Sequence, residues 1–299
     1  MTDSGVEGRT TVGVIGLGRV GWPVAQSVMA TGAHVVGYQR RGSRDLQRAG
    51  GTVASSAQEV MEQCDLVFLA LPSAHALDSV VVGANGLCDA GRRQSAVVVD
   101  LSTTGYAEKN RAREALAAIG VEMLDCPVGG VPNPSSSSPI LDSMFASGDK
   151  AAYERSAHVL GAVAANLWYV GDFGKGITLK LIINTLVALH TIATAEALAL
   201  GTQAGLDNDI MLEVLAGSPG TSWVLKDRAR RMIEGPYTPA RGSIDMMRKD
   251  LLLVEELARS AGGSSTPMMR LAGSLYDTAA DRGWGDQDVS VMYRLAKEP

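Results

Sequence analysis

Residues Thr11–Ala25 read TVGVIGLGRVGWPVA: an apolar, β-rich run, then Gly16-Leu17-Gly18-Arg19-Val20-Gly21, then a stretch of helical character. Gly-x-Gly-x-x-Gly between a strand and a helix fits a turn in which each glycine has its own task. Gly16 permits the tight turn, Gly18 lets backbone approach a bound group, and Gly21 lets helix and strand pack closely. The free N–H groups and positive dipole end of the helix favour a pyrophosphate, so the turn points to a dinucleotide held by Gly16, Leu17, Gly18, Arg19, Val20 and Gly21. The competing reading is a glycine turn without a ligand. The strand–turn–helix context weighs against it.

A second strand, His34–Tyr38, ends about 20 residues after the turn, where an acidic residue marks NAD and an arginine accommodates the 2′-phosphate of NADP. The sequence there is Gln39-Arg40-Arg41-Gly42-Ser43-Arg44, with no acid and planar guanidiniums suited to phosphate. Gln39, Arg40 and Arg41 therefore imply NADP (NADPH), against the alternative of a solvated charge run opening a helix.

Outward from this unit, Leu66–Leu71, Ala96–Asp100, Glu122–Leu124, Ser143–Ala146 and Leu167–Val170 read as further strands. Trp22–Thr31, Ser43–Ala49, Ala57–Gln63 and Ala107–Ile119 read as helices. Apolar strands alternating with helices predict a parallel sheet covered on both faces. After Gly174 the pattern becomes helical, with Leu, Ala and Met at three- and four-residue spacing. The expected fold is an α/β Rossmann domain over residues 10–173, then an all-α domain over 174–299 with a long interdomain helix. Met211, Met232, Met246, Met247, Met268 and Met269 are expected in the helical core. Pro132–Pro139 (PNPSSSSP) reads as a surface loop, and the polar amino terminus as a fraying end.

Composition excludes several classes. A net charge of −5 gives no general attraction to nucleic acid or anionic lipid. The three cysteines, Cys64, Cys88 and Cys126, form neither a CxxC nor a Cys/His pattern, so no metal site is expected and a reducing cytoplasm fits. The apolar run from Ile177 to Leu200 contains Lys180, Asn184, His190 and Glu196, which argues for a buried helix, not a membrane span. His75, His158 and His190 lack carboxylate spacing and read as structural.

Several segments in order resemble the β-hydroxyacid dehydrogenase family, which includes 3-hydroxyisobutyrate dehydrogenases and glyoxylate and succinic semialdehyde reductases. They are Gly16–Pro23, Leu71-Pro72, Asp100-Leu101-Ser102-Thr103, Asp125-Cys126-Pro127-Val128-Gly129-Gly130, Gly174-Lys175-Gly176 with Lys180 and Asn184, and Met247-Arg248-Lys249-Asp250. The resemblance implies hydride transfer between nicotinamide and a small β-hydroxyacid or its semialdehyde or ketoacid, with Lys180 as general acid/base. It also implies that Leu71, Pro72, Thr103 and Lys249 lie beside the cofactor, that Ser102, Gly129 and Gly130 lie beside the substrate, and that the protein is a homo-oligomer, dimer or tetramer. The residues agree on one point without the family. Lys180 and Asn184, four apart, share one helix face, and a lysine in an apolar helix is costly without a partner or a task.

The pattern departs on the substrate side. Gly129 stands where the family carries a serine that helps hold a carboxylate, and Ile183 stands where many relatives have an asparagine. The main alternatives are an imine reductase of related architecture, a group that as a rule lacks the lysine, and a catalytically silent dinucleotide-binding relative.

Overall fold

A computed structural model describes residues 10–130, 141–263 and 267–298; the Pro132–Pro139 loop and the polar amino-terminal residues 1–9 lie outside them. The chain divides into two compact units, residues 1–180 and 181–299.

In the first unit, strands and helices alternate: β1 (Thr11–Ile15), α1 (Gly21–Ala30), β2 (His34–Tyr38), α2 (Arg44–Arg48), β3 (Thr52–Val53), α3 (Ala57–Gln63), β4 (Leu66–Leu69), α4 (Ala74–Val81), β5 (Val97–Asp100), α5 (Tyr106–Ala118) and β6 (Glu122–Asp125). The six strands form one parallel sheet in the order β3-β2-β1-β4-β5-β6. Side chains alternate between its faces. Val12, Val14, Val35, Phe68 and Val99 enter one core; Ile15, Val36, Val67, Leu69 and Val98 enter the other. Both faces are thus dry, which explains why these strands are apolar without a polar alternation. The strand order reverses between β1 and β4, the switch point at which open α/β sheets bind ligands beyond their carboxyl ends.

The segments Ser143–Ala146 and Leu167–Val170, expected in the parallel sheet, belong elsewhere. β7 (Val128–Gly129), β8 (Leu141–Ala146) and β9 (Ala164–Tyr169) make a separate three-stranded sheet, with α6 (Lys150–Val163) between β8 and β9. β7 runs antiparallel to β8 and β8 parallel to β9. The reason is visible in β9, where Asn166 and Trp168 face solvent: one face of this sheet is wet, as mixed sheets allow and a doubly covered sheet does not.

Next comes α7 (Lys175–Gln203), 29 residues long. Ile177, Leu181, Asn184, Ala188, Thr191, Ala195 and Leu198 are its buried seam, at alternating four- and three-residue steps. Ile182, Leu186 and Leu200 remain 50–67% exposed, so the helix is apolar on more than one face. By length and composition alone α7 would pass for a membrane span. Its Lys180, His190 and Glu196, with the buried Asn184 and Thr191 in its seam, instead fit a helix packed in protein. The boundary expected at 173/174 lies just before α7, whereas the compact units separate within that helix, after Lys180.

The second unit continues with α8 (Asn208–Gly217), α9 (Trp223–Glu234), α10 (Ile244–Ser260), α11 (Pro267–Ala279) and α12 (Met292–Lys297), and its described residues contain no strand. Met211, Met232, Met247 and Met269 fill its core with Tyr276 and Trp284. Met246 and Met268 were expected there too, but are 45% and 63% exposed. Each sits one residue from a buried methionine, a step of about 100° that turns it off the core face.

Candidate active site

The glycine turn has the geometry its spacing implies. Gly16 has φ +91° and donates its N–H to the Tyr38 carbonyl at 3.0 Å, which ties the end of β1 to the end of β2. A Cβ on Gly21 would overlap the Gly16 carbonyl oxygen, whereas one on Gly18 would meet nothing within 4 Å. The first turn of α1 is open. α2, α3 and α4 each have a serine hydroxyl (Ser43, Ser56, Ser73) accepting a backbone N–H at their start, but α1 has Val20 at the cap position, with no side-chain cap and no acidic residue in its first turn. The Trp22 N–H goes to the Gly18 carbonyl at 3.0 Å and Pro23 has none, so it is the backbone of the glycine turn, with the positive end of the helix dipole behind it, that an anion would meet. Leu17 is buried beneath the turn, while Gly18 and Arg19 are exposed.

Beside it, Gln39–Gly42 forms a second turn, closed by the Gly42 N–H on the Gln39 carbonyl at 2.8 Å. Arg40 and Arg41 are exposed on this turn at the carboxyl end of β2. The glycine turn and the turn that carries Arg40 and Arg41 are therefore joined through the Gly16–Tyr38 hydrogen bond.

The ends of β4, β5 and β6 are joined by a buried polar chain. Leu71 donates its N–H to Ser102 Oγ at 2.9 Å, and Ser102 donates its own N–H to Asp100 Oδ1 at 3.0 Å. Ser102, expected beside the substrate, thus has its oxygen engaged in holding the Leu71 loop, and only 4% of its surface is exposed. Pro72 is exposed and Thr103 half-buried on the same edge. Lys109, on α5, places Nζ 2.7 Å from Asp100 Oδ2 and 2.8 Å from Asp125 Oδ1, all three side chains fully buried. Burial alone would lower the lysine's pKa, but the two carboxylates outweigh it and raise it, so Lys109 stays charged. Removing one member of such a buried set costs roughly 3–5 kcal/mol, because the others are left uncompensated.

The other end of the chain reaches α7. Asp125 Oδ2 accepts the Ile177 N–H at 2.7 Å, and Ser147 Oγ accepts the Gly176 N–H at 2.9 Å. Ser147 exchanges both backbone hydrogen bonds with Asp125 at 2.9 Å. The start of α7 is therefore capped from a strand end 52 residues earlier. Gly176 makes this approach feasible: a Cβ there would lie 2.5 Å from the Phe145 carbonyl oxygen and 2.6 Å from that of Asp125. Cys126, next to Asp125, is fully buried, and burial pushes its thiol well above the ordinary range, so it is no nucleophile.

Gly129 lies in β7 opposite Ser143. A Cβ there would stand 3.2 Å from the Phe145 ring, so this chain fills with an aromatic edge the space a serine side chain would need. Gly130 follows β7 and is exposed.

Lys180 lies on the second turn of α7, half-buried, one turn before Asn184. Asn184 is buried and donates Nδ2–H to Asp250 Oδ2 at 2.7 Å; Lys249 Nζ stands 3.0 Å from Asp250 Oδ1. Asp250 thus gathers Asn184 and Lys249, two expected site residues, and orients the amide so that its oxygen is left for another donor.

Sequence reading did not nominate Lys109 or Asp250. The signal for Lys109 was its place on the stripe Lys109, Ala112 and Leu116, the buried face of an otherwise charged helix. For Asp250 it was adjacency to Lys249 on α10, whose buried face also carries Met247 and Leu251.

Comparison with known proteins agrees with this geometry. Residues 11–171 match the NAD-binding domain of 6-phosphogluconate dehydrogenase, and residues 174–296 match the NAD-binding domain of NADP-dependent 3-hydroxyisobutyrate dehydrogenase. L-threonate dehydrogenase of Cupriavidus necator is 34% identical over 289 residues, 95% of each chain. Glyoxylate/succinic semialdehyde reductase 2 of Arabidopsis thaliana is 28% identical over 292 residues, covering 97% of this chain and 80% of the relative. The crystal structure of a 3-hydroxyisobutyrate dehydrogenase from Salmonella typhimurium superposes with a TM-score of 0.82 at 29% identity, covering 96% of this chain and 99% of that one.

Proposed function

Because this chain belongs to the β-hydroxyacid dehydrogenase family of the 3-hydroxyisobutyrate type, and is an oxidoreductase acting on CH–OH groups, we propose that it is NADP-dependent and uses Lys180 as its general acid/base. The substrate class is a small β-hydroxyacid, or the semialdehyde or ketoacid derived from it. The uncapped start of α1 would hold the pyrophosphate, and Arg40 and Arg41 the 2′-phosphate. Leu71, Pro72, Thr103 and Lys249 are assigned to the cofactor by their match to the family.

NADPH, when bound, supplies the hydride, and NADP accepts it in the reverse direction. Lys180, as the ammonium, donates a proton to the carbonyl oxygen as the alcohol forms; as the neutral amine it takes that proton in oxidation. Asn184, with its N–H committed to Asp250, offers its oxygen to the substrate hydroxyl. Gly129 and Gly130 contribute backbone N–H groups toward a carboxylate, without the hydroxyl that a serine would add.

The observation that supports this reading is the anchoring of the start of α7, the helix that bears Lys180, to the carboxyl end of β6, on the side of the sheet where open α/β folds bind ligands. The test is a scan of purified protein with NADPH, NADP, NADH and NAD against semialdehydes, glyoxylate, aldonates, β-hydroxyacids and cyclic imines. Turnover of one of the hydroxyacid or carbonyl substrates that falls by roughly 10²–10⁴ in Lys180→Ala supports the assignment. Imine turnover surviving Lys180→Ala overturns it, as does tight NADPH binding with no turnover of any substrate.

The exposed apolar side chains Ile182 and Leu186, one turn apart on α7, support a homo-oligomer that covers them.

A further inference from the structure

We infer that Lys109 is a positioning residue for Lys180, acting through Asp125 and the first turn of α7. The inference rests on the assignment of Lys180 as the group that moves the proton.

Three observations carry it. First, α7 has no capping side chain of its own next to its start: Gly174 precedes it, and its Gly176 and Ile177 N–H groups are satisfied by Ser147 Oγ and Asp125 Oδ2. The axial position and rotation of α7 are thus set by a carboxylate on β6, and Lys180 follows three residues after the Ile177 anchor. Second, that carboxylate holds a buried cation on its other oxygen, Lys109 at 2.8 Å. Third, Lys109 is shared with Asp100, whose other oxygen holds the Ser102 backbone and, through Ser102 Oγ, the Leu71 N–H. Asp100 and Asp125 are register partners on adjacent parallel strands, so without a cation between them two buried carboxylates would repel. The set of two carboxylates and one ammonium carries one surplus negative charge, and the positive end of the α7 dipole faces it. The ammonium therefore links three strand ends to one helix start in a geometry that none of the four could hold alone.

A purely structural lysine and a positioning lysine differ in what survives when charge is balanced without it. Lys109→Met removes the cation, and Lys109→Met with Asp100→Asn removes one charge of each sign, so the buried net charge is that of the wild type. The double variant keeps an oxygen for the Ser102 N–H and is the one expected to fold if the single variant does not. Two readouts are taken on full-length protein: kcat and KM on the substrate found by the scan above, and amide hydrogen exchange over residues 175–180 and, as a reference, over β1.

Positioning predicts that kcat falls by roughly 10- to 100-fold in the double variant while KM moves within about threefold. It also predicts that exchange over residues 175–180 accelerates while β1 stays protected. The inference is overturned if the double variant retains wild-type kcat with unchanged exchange at 175–180, which would make Lys109 a charge compensator only. It is also overturned if exchange rises equally in β1, which would make its role global stability. If the wild type turns over no substrate, the functional reading fails separately, and the exchange arm still decides whether Lys109 fixes the start of α7.

Discussion

At the scale of single residues, the sharpest assignments rest on unlike neighbours of the same turn. In the proposed cofactor site, the open turn at Gly18 would suit either dinucleotide, and Arg40 and Arg41 would select the phosphorylated one. Charge-assisted hydrogen bonds of this kind contribute about 1.5–3 kcal/mol each. Arg40→Ala with Arg41→Ala is therefore expected to raise KM for NADPH by roughly 10²- to 10⁴-fold and leave KM for NADH within about twofold, as steady-state kinetics with both cofactors would report. A wild type that prefers NADH, with a preference unchanged in the double variant, would sink the 2′-phosphate proposal. The residues of this turn were legible in sequence because their chemistry is local: glycine spacing and a missing acid act within one supersecondary unit. That Lys180 and Asn184 lie one turn apart on a single helix was legible for the same reason. Lys109 was not. Its partners lie nine and sixteen residues away on two strand ends, and in YAEKNRAR it resembles any solvated lysine until the sheet register brings Asp100 opposite Asp125.

At the scale of elements, the close docking of α7 on β6 is the feature most exposed to a single methyl group. Gly176→Ala would drive a Cβ into two backbone carbonyl oxygens that cannot swing aside, so a loss of about 1–3 kcal/mol is expected from urea unfolding, together with reduced kcat. Gly161→Ala is the control. That glycine sits within α6, exposed, with nothing within 4 Å of an added Cβ, and its replacement should stabilise the protein by about 0.5–1 kcal/mol. Equal effects from both substitutions would contradict the docking argument. The parallel strands and the long helix were readable because their hydrophobic periods are simple. The second sheet was not, because β7 pairs with β8 across the Pro/Ser-rich stretch, and Gly129 facing Ser143 carries no pattern that announces a strand. The reason for Gly129 emerged only with Phe145 beside it.

At the scale of the whole molecule, the proposed homo-oligomer would cover apolar residues left exposed along α7. Leu186→Asp, at a position half exposed in the single chain, is expected to shift the mass measured by light scattering toward the monomer without lowering helix content; an unchanged mass would remove this face from the interface. The larger claim is that two features of the first unit, an anion-ready glycine turn and a helix start locked to the sheet edge, make a hydride-transfer enzyme that moves its proton through Lys180. The most direct test is NADPH oxidation at saturating substrate, followed at 340 nm, in wild type and in Lys180→Ala confirmed to bind NADPH normally. The account predicts that kcat drops by roughly 10²–10⁴ while the NADPH dissociation constant stays within about twofold. A Lys180→Ala enzyme that keeps wild-type kcat would contradict it.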